Sequence, residues 1–312
     1  MEERSNFDHY VAQHYLKLFT NDQNAAFVGD VIAHSVERHT DFRSIMGRPN
    51  WSVDQSIEDG FTAIETKVAS AMRTLSANPR AATGLSVSTA LALRAYICMH
   101  YARSVGVHDA MNQSTEQFMQ ELARTAPPGF DVNSLGLRDA TRPESLLMGI
   151  QIADYIEVAI RMKGCIALIG PGTHQFIVGD NPLSNLSSQD SFMYRGGLPN
   201  RDTYLWFPLN PKLGLLFIYQ TGNILGEGNI KIAYSNDRLT RALNLSEAFL
   251  ASQYIVGKSH GVVKGLTRCA NVGEERAKVT SLDWAPLTIN ENKAVATVDE
   301  SLIDFVRQQI PQ

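Results

Sequence analysis

The apolar pattern of this chain changes period near residue 163, and that change limits its possible folds more than any other feature. Before it, apolar residues recur at intervals of three and four. Ile57, Phe61, Ile64, Val68, Met72 and Leu75 form one such stripe, with Glu58 and Asp59 in the first turn behind Ser56. Serine is a good N-cap and acids suit the positive end of the helix dipole, so the spacing predicts an amphipathic helix of about six turns. Further helices are predicted from Val87 to Ser104, stopping near Gly106, and from Met111 to Arg124, ended by Pro127-Pro128-Gly129. After a loop from Asp131 to Thr141, Pro143 stands at a helix start and leads into Leu146 to Met162.

Beyond residue 163 the apolar runs shorten. Cys165 to Ile169, the turn Gly170-Pro171-Gly172 and then Gln175 to Val178 predict a β-hairpin that ends at the turn Asp180-Asn181-Pro182. Two more strands are predicted at Thr203 to Pro208 and Leu213 to Tyr219, joined by Asn210-Pro211-Lys212, with Ser184 to Asp202 as a polar loop. Helical spacing returns from Asp237 to Val256. A short strand near Lys278 to Leu282 and a helix from Glu300 to Gln309 complete the reading. The fold class expected is α+β, a mainly helical body packed around a small, mostly antiparallel sheet. It is read as one domain over 1–312, with a helical part at 1–162, a β-rich part at 163–235 and a C-terminal helical part at 236–312.

Composition excludes some classes. The formal charge is −4, so there is no global basic field for nucleic acid, and a nucleic-acid ligand would need a local basic groove. Cys98, Cys165 and Cys269 are odd in number and far apart, which reads as reduced thiols. The polar, acidic first residues are unlike a signal peptide, and the longest apolar run, Leu213 to Tyr219, is too short to span a bilayer. A soluble, cytoplasmic chain with no membrane partner is expected; protein partners are not indicated.

Several motifs fall short of their chemistry. Gly257-Lys258-Ser259 looks like the end of a phosphate-binding loop, but Ser252 stands where the first glycine belongs, and the predicted context is a helix before it rather than a strand. Gly226-Glu227-Gly228 has Lys231 in place of a third glycine. His34 and His39 are five apart, whereas a helical zinc site needs four, so a polar loop or strand is expected there. There is no GxSxG.

The remaining polar residues carry more. On a helical wheel Glu58 and Glu65 share one shoulder of the stripe, as boundary acids or as acids aimed into a pocket. Arg94 falls inside the apolar arc of the next helix, among Ala90, Ile97 and Tyr101, and so needs a carboxylate or an anionic ligand. Glu65, Glu157 and Asp180 are its candidate partners. Asp180 follows a predicted strand at a turn stiffened by Pro182, a platform that would suit a reactive carboxylate or an Asx-turn equally.

Near the N-terminus, His9-Tyr10-Val11-Ala12-Gln13-His14-Tyr15-Leu16-Lys17-Leu18-Phe19 packs two histidines, two tyrosines, a glutamine and a lysine into eleven residues. With Phe176-Ile177-Val178-Gly179-Asp180-Asn181-Pro182 and with Phe207-Pro208 to Gly214, this block resembles a family catalogued as domain of unknown function number forty-two thirty-eight. The resemblance implies a signature and no activity. His9, Gln13, Tyr15, Lys17, Asp180 and Pro182 match it. Ala12 stands where the family usually has proline, Gly179 where it has a serine- or threonine-like residue, and Val105 where Arg103-Ser104 would be followed by proline.

Two functional expectations follow. In the first, His9, Glu65 and Asp180 converge as catalytic residues on Mg²⁺ or Mn²⁺, or act without metal as acids and bases. Gln13, Tyr15, Lys17, Arg94, Arg103 and Asn181 would hold a phosphate-containing small molecule or nucleic acid for phosphoester hydrolysis, in the manner of a nuclease or nucleotide hydrolase. In the second, the chain is a non-catalytic binding or regulatory module, and the same residues form a structural polar network.

Overall fold

In a computed structural model of the chain, the described residues are 7–49, 55–140, 146–187, 203–219, 224–227, 230–269, 287–289 and 296–298. The first part runs β1 (Phe7–His9), α1 (Gln13–Leu16), β2 (Ala26–Asp30), β3 (Ser35–His39) and β4 (Gly47–Pro49). Five helices follow: α2 (Gln55–Ala77), α3 (Val87–Ala102), α4 (Val105–Thr125), α5 (Leu137–Ala140) and α6 (Leu146–Arg161). The strands β5 (Gly164–Ile169), β6 (Val178–Gly179), β7 (Ser184–Ser187), β8 (Thr203–Asn210), β9 (Leu213–Ile218) and β10 (Lys231–Tyr234) come next. The last described elements are α7 (Asp237–Leu250), β11 (Tyr254–Gly257), α8 (His260–Cys269), β12 (Leu287–Ile289) and β13 (Ala296–Val298). The fold is α+β, as expected.

The central sheet has the order β10-β5-β9-β8-β7-β13-β12, and a smaller one has the order β3-β2-β11-β6. Pairing is antiparallel except for β10 on β5 and β13 on β7. The central strands are covered on both faces, which is why they read as unbroken apolar runs. Cys165, Ala167, Leu205, Phe207, Leu215 and Phe217 face the cluster built with α2, α3 and α6. Their neighbours Ile166, Leu168, Trp206, Leu216 and Ile218 face the cluster built with α7, α8 and Phe176.

The helices α2, α3 and α6 stand close to where their periodicity puts them. Gly106 does not stop a helix; it lies in the first turn of α4, which Ser104 caps by accepting the Val107 N–H. Gln175 to Val178 does not form a hairpin with β5. β5 pairs instead with β9 and β10, while the Phe176 N–H goes to the Pro211 carbonyl and the Ile177 N–H to Asn244 Oδ1. The helix predicted to Val256 ends at Leu250, and Ile255 and Val256 belong to β11. Gly257-Lys258-Ser259 therefore follows a strand, although Lys258 pairs with Asp22 at 3.1 Å. Part of the expected 184–202 loop is β7. The strand near Lys278 and the helix from Glu300 lie outside the described residues.

A tight contact holds β8 against β9. A Cβ built on Gly214 would stand 2.1 Å from the Trp206 indole, a rigid neighbour that is itself fully buried. Gly214→Ala is expected to cost about 1–3 kcal/mol, as overpacking of a filled core does, read as a lower denaturant midpoint at unchanged slope.

Candidate functional site

The N-terminal block folds as a short arm laid over the helices and the central sheet. His9 ends β1, and its Nε2 stands 3.1 Å from the Phe42 carbonyl; Gln13 Nε2 approaches both ring nitrogens at 3.3 and 3.4 Å. Tyr10 is buried with its hydroxyl held far above the usual tyrosine range, chiefly by burial and then by the negative charge of Asp180. Tyr15 is fully buried: its hydroxyl donates to the Pro208 carbonyl and its ring stacks on Phe207 at 5.4 Å and 9°. Two blocks of the signature, about 190 residues apart, thus touch directly. Lys17 is exposed.

The second block is more completely buried. Asp180 has no exposed surface. Its Oδ1 accepts the Ser252 N–H at 2.7 Å, and its Oδ2 accepts those of Gln253 at 2.7 Å and Tyr254 at 2.9 Å. Its own N–H donates to the Tyr254 carbonyl at 2.9 Å. The carboxylate therefore caps a remote segment, the turn from α7 into β11, rather than its own turn. Asn181 works beside it. Asn181 Oδ1 accepts the Gly106 N–H at 2.9 Å, one of the first-turn donors that α4 leaves without an intrahelical partner, and Nδ2 donates to the Leu250 carbonyl at 2.6 Å.

A second buried acid lies next to this turn, and sequence reasoning missed it. Glu247 accepts the Gly179 N–H at 2.9 Å and the Ser184 hydroxyl at 2.5 Å. It sits one turn after Leu243 on a helix buried almost all round, so the wheel test that singled out Arg94 would also have found it. Burial pushes its carboxyl up to about 8, with the neighbouring charge of Asp180 adding to the rise. Burial likewise lifts Asp180 to about 6, against the pull of its backbone N–H donors.

Glu58 and Glu65 do share one face of α2, and both meet partners. Glu58 pairs with Arg103 at 2.8 Å, and the Arg103 guanidinium lies 4.1 Å from the centre of the Phe61 ring. Glu65 stands 3.4 Å from His14 Nδ1, whose Nε2 is 3.2 Å from the Tyr96 hydroxyl. His100 packs against Tyr15 and Tyr96 and is held well below the ordinary histidine range by burial. Arg94 is a structural ion pair: it reaches Glu157 at 3.1 Å, Glu227 at 3.2 Å and the Leu225 carbonyl at 3.0 Å. Of its three candidate partners only Glu157 is among these. Glu65 meets His14, and no three His, Cys, Asp or Glu side chains among the described residues are placed to hold one metal ion.

Residues 8–261 match the family described as "Protein of unknown function (DUF4238)". The chain belongs to that family. No curated protein and no solved structure matches it. The places where this chain departs from the family signature have local explanations. Val105 is the first residue of α4, the helical position at which proline is well tolerated. Ala12 has φ −61°, close to the angle a proline ring imposes. Gly179 is closely overlain by α7, since a Cβ there would lie 3.0 Å from the Glu247 carbonyl oxygen. No helix among the described residues is long and apolar enough to cross a membrane.

The buried acids set a pH dependence. An unfolded chain ionises glutamate above about pH 4.5, whereas the fold keeps Glu247 protonated up to about 8. Over that window the folded state binds more protons than the unfolded one, so stability falls as pH rises. Asp180 acts in the same direction between about 3.8 and about 6. The melting temperature is expected to decline from about pH 5 to about pH 8, and Glu247→Gln to flatten the upper half of that slope, as followed by circular dichroism.

Proposed function

We infer that this family member is a non-catalytic binding or regulatory module, and that its signature residues are used to build the fold. The observation that carries this reading is Asp180: fully buried, with both oxygens occupied by three backbone N–H donors. A nucleophile or general base needs a lone pair that a substrate can reach. Asn181 and Tyr15 are likewise engaged with backbone groups. Asp180→Asn turns an amide toward at least one of those N–H groups and leaves it unsatisfied. The expected loss is about 1–3 kcal/mol, seen as a clear drop in melting temperature. Loss of an activity at unchanged stability would sink the reading.

One observation favours a second reading, phosphoester hydrolysis. His14 is half-buried, with the Glu65 carboxylate at 3.4 Å on one nitrogen. An imidazole oriented by a carboxylate is a general-base arrangement once its other nitrogen, which faces the Tyr96 hydroxyl at 3.2 Å, turns to a substrate, and His14 would then take the role that the sequence suggested for His9. Arg103, which follows α3 directly and pairs with Glu58, would offer a cation to a phosphate-containing small molecule or nucleic acid. Under this reading His14→Ala lowers phosphodiester turnover by about 100-fold or more with little change in melting temperature.

A further inference from the structure

An open cleft of about 270 Å³ lies between the loop after β5 and the facing sides of α7 and α8. None of the signature residues lines it. The loop is tied to α7 by Asn244, which donates to the Gln175 carbonyl at 2.8 Å and accepts the Ile177 N–H at 3.0 Å. This fixes His174 at the cleft wall. His174 Nδ1 stands 2.9 Å from Asp237 Oδ1, and Thr173 donates to the same carboxylate at 2.6 Å. The donors of Arg241 make Nε2 an acceptor, so the ring hydrogen stands on Nδ1, beside the carboxylate. Arg241 donates to Nε2 from Nε at 3.1 Å and from Nη2 at 2.9 Å. The exposed guanidinium is thus oriented, and its Nη1 makes no hydrogen bond among the described residues.

The opposite wall carries two glycines, Gly261 and Gly265, with open space where a Cβ would stand, as Gly60 of α2 also has. Gly29, Gly214 and Gly257 are required by packing, since a Cβ would lie 2.2 Å from Thr267, 2.1 Å from Trp206 and 2.9 Å from Ile177. Gly261 and Gly265 are different: both line the cleft, and nothing lies within 4 Å of where a Cβ would stand. Glycine in a helix interior costs about 1 kcal/mol relative to alanine, so packing of the described residues gives no reason for Gly265, while Gly261 lies in the first turn. On a wheel of about 100° per residue, the exposed Lys264 and Arg268 fall on one side of the glycine strip, and Val262 and Leu266 on the other. A ligand lying on the strip meets positive charge along one edge and apolar surface along the other.

We propose that this cleft binds a small monocarboxylate with a short apolar tail. Its carboxylate sits on Arg241 and its tail runs over Gly261 and Gly265 against Val262 and Leu266. The planar guanidinium matches a carboxylate in geometry, and Asp237 beside His174 opposes the second charge of a phosphate dianion. The proposal rests on the reading of the chain as a binding module and supplies its ligand class.

Burial pushes up all three thiols, but Cys269 lines the same cleft and is only half-buried, whereas Cys98 and Cys165 are buried. A thiol-exchange reagent added to the native full chain should therefore report on Cys269. Octanoate is expected to slow its labelling saturably, about fivefold at about four times Kd, while acetate and octanol do so far more weakly. Arg241→Gln should raise the half-effective octanoate concentration about tenfold. Gly265→Leu should abolish octanoate binding in calorimetry with a melting temperature that is raised and not lowered. Unsaturable labelling kinetics, equal potency of octanol, or full octanoate affinity in Arg241→Gln would each overturn the proposal. Such a failure, with Asp180→Asn still acting on stability alone, removes the cleft and spares the module; activity lost in Asp180→Asn at unchanged stability removes the module itself.

Discussion

The capture of three backbone N–H groups by the buried Asp180 carboxylate is the interaction on which the surrounding structure depends. It turns the chain from α7 into β11, and β11 is the strand that joins β2 to β6 in the smaller sheet. A neutral side chain of similar size could not satisfy all three donors, and each one left bare in the interior carries a desolvation cost. Asn181 extends the same clamp to the first turn of α4. Glu247 closes it from the other side by holding the Gly179 N–H and Ser184. The Asp-Asn-Pro turn is thus the meeting point of α4, α7, β6, β7 and β11.

The N-terminal arm reaches the same region by another route. Tyr10 lies within the electrostatic reach of Asp180, and Tyr15 locks onto the carbonyl of Pro208 and the ring of Phe207. The blocks that stand apart in the sequence therefore share one interior. Dense hydrogen-bonding chemistry in a short motif is equally what a buried polar junction requires, because every polar group taken from water must find a partner.

What was legible in the sequence follows from how local the cause was. The stripe from Ile57 to Leu75 and the apolar arc around Arg94 are properties of single helices, and both the helices and the ion pair of the buried Arg94 with Glu157 appear where the period puts them. β8 and β9 were legible because a short turn joins them. The hairpin expected between β5 and Gln175 to Val178 failed because partners elsewhere took the hydrogen bonds: β9 and β10 for β5, the Pro211 carbonyl and Asn244 for the second run. The end of α7 was hidden for the same reason, since the carboxylate that ends it lies about 70 residues upstream. At Asp180 a reactive group and a structural cap present the same local sequence, and only the donors facing it tell them apart. Glu65 turned out to face His14, a neighbour that the wheel of α2 alone could not supply.

The bond between Tyr15 and Pro208 spans 193 residues of chain. Closing so long a loop is slow, and during synthesis the arm emerges well before its acceptor exists. Until β8 arrives, Tyr15 lacks both its carbonyl acceptor and the Phe207 ring on which it stacks. The arm therefore waits, for these contacts, on a strand that follows it by about 190 residues.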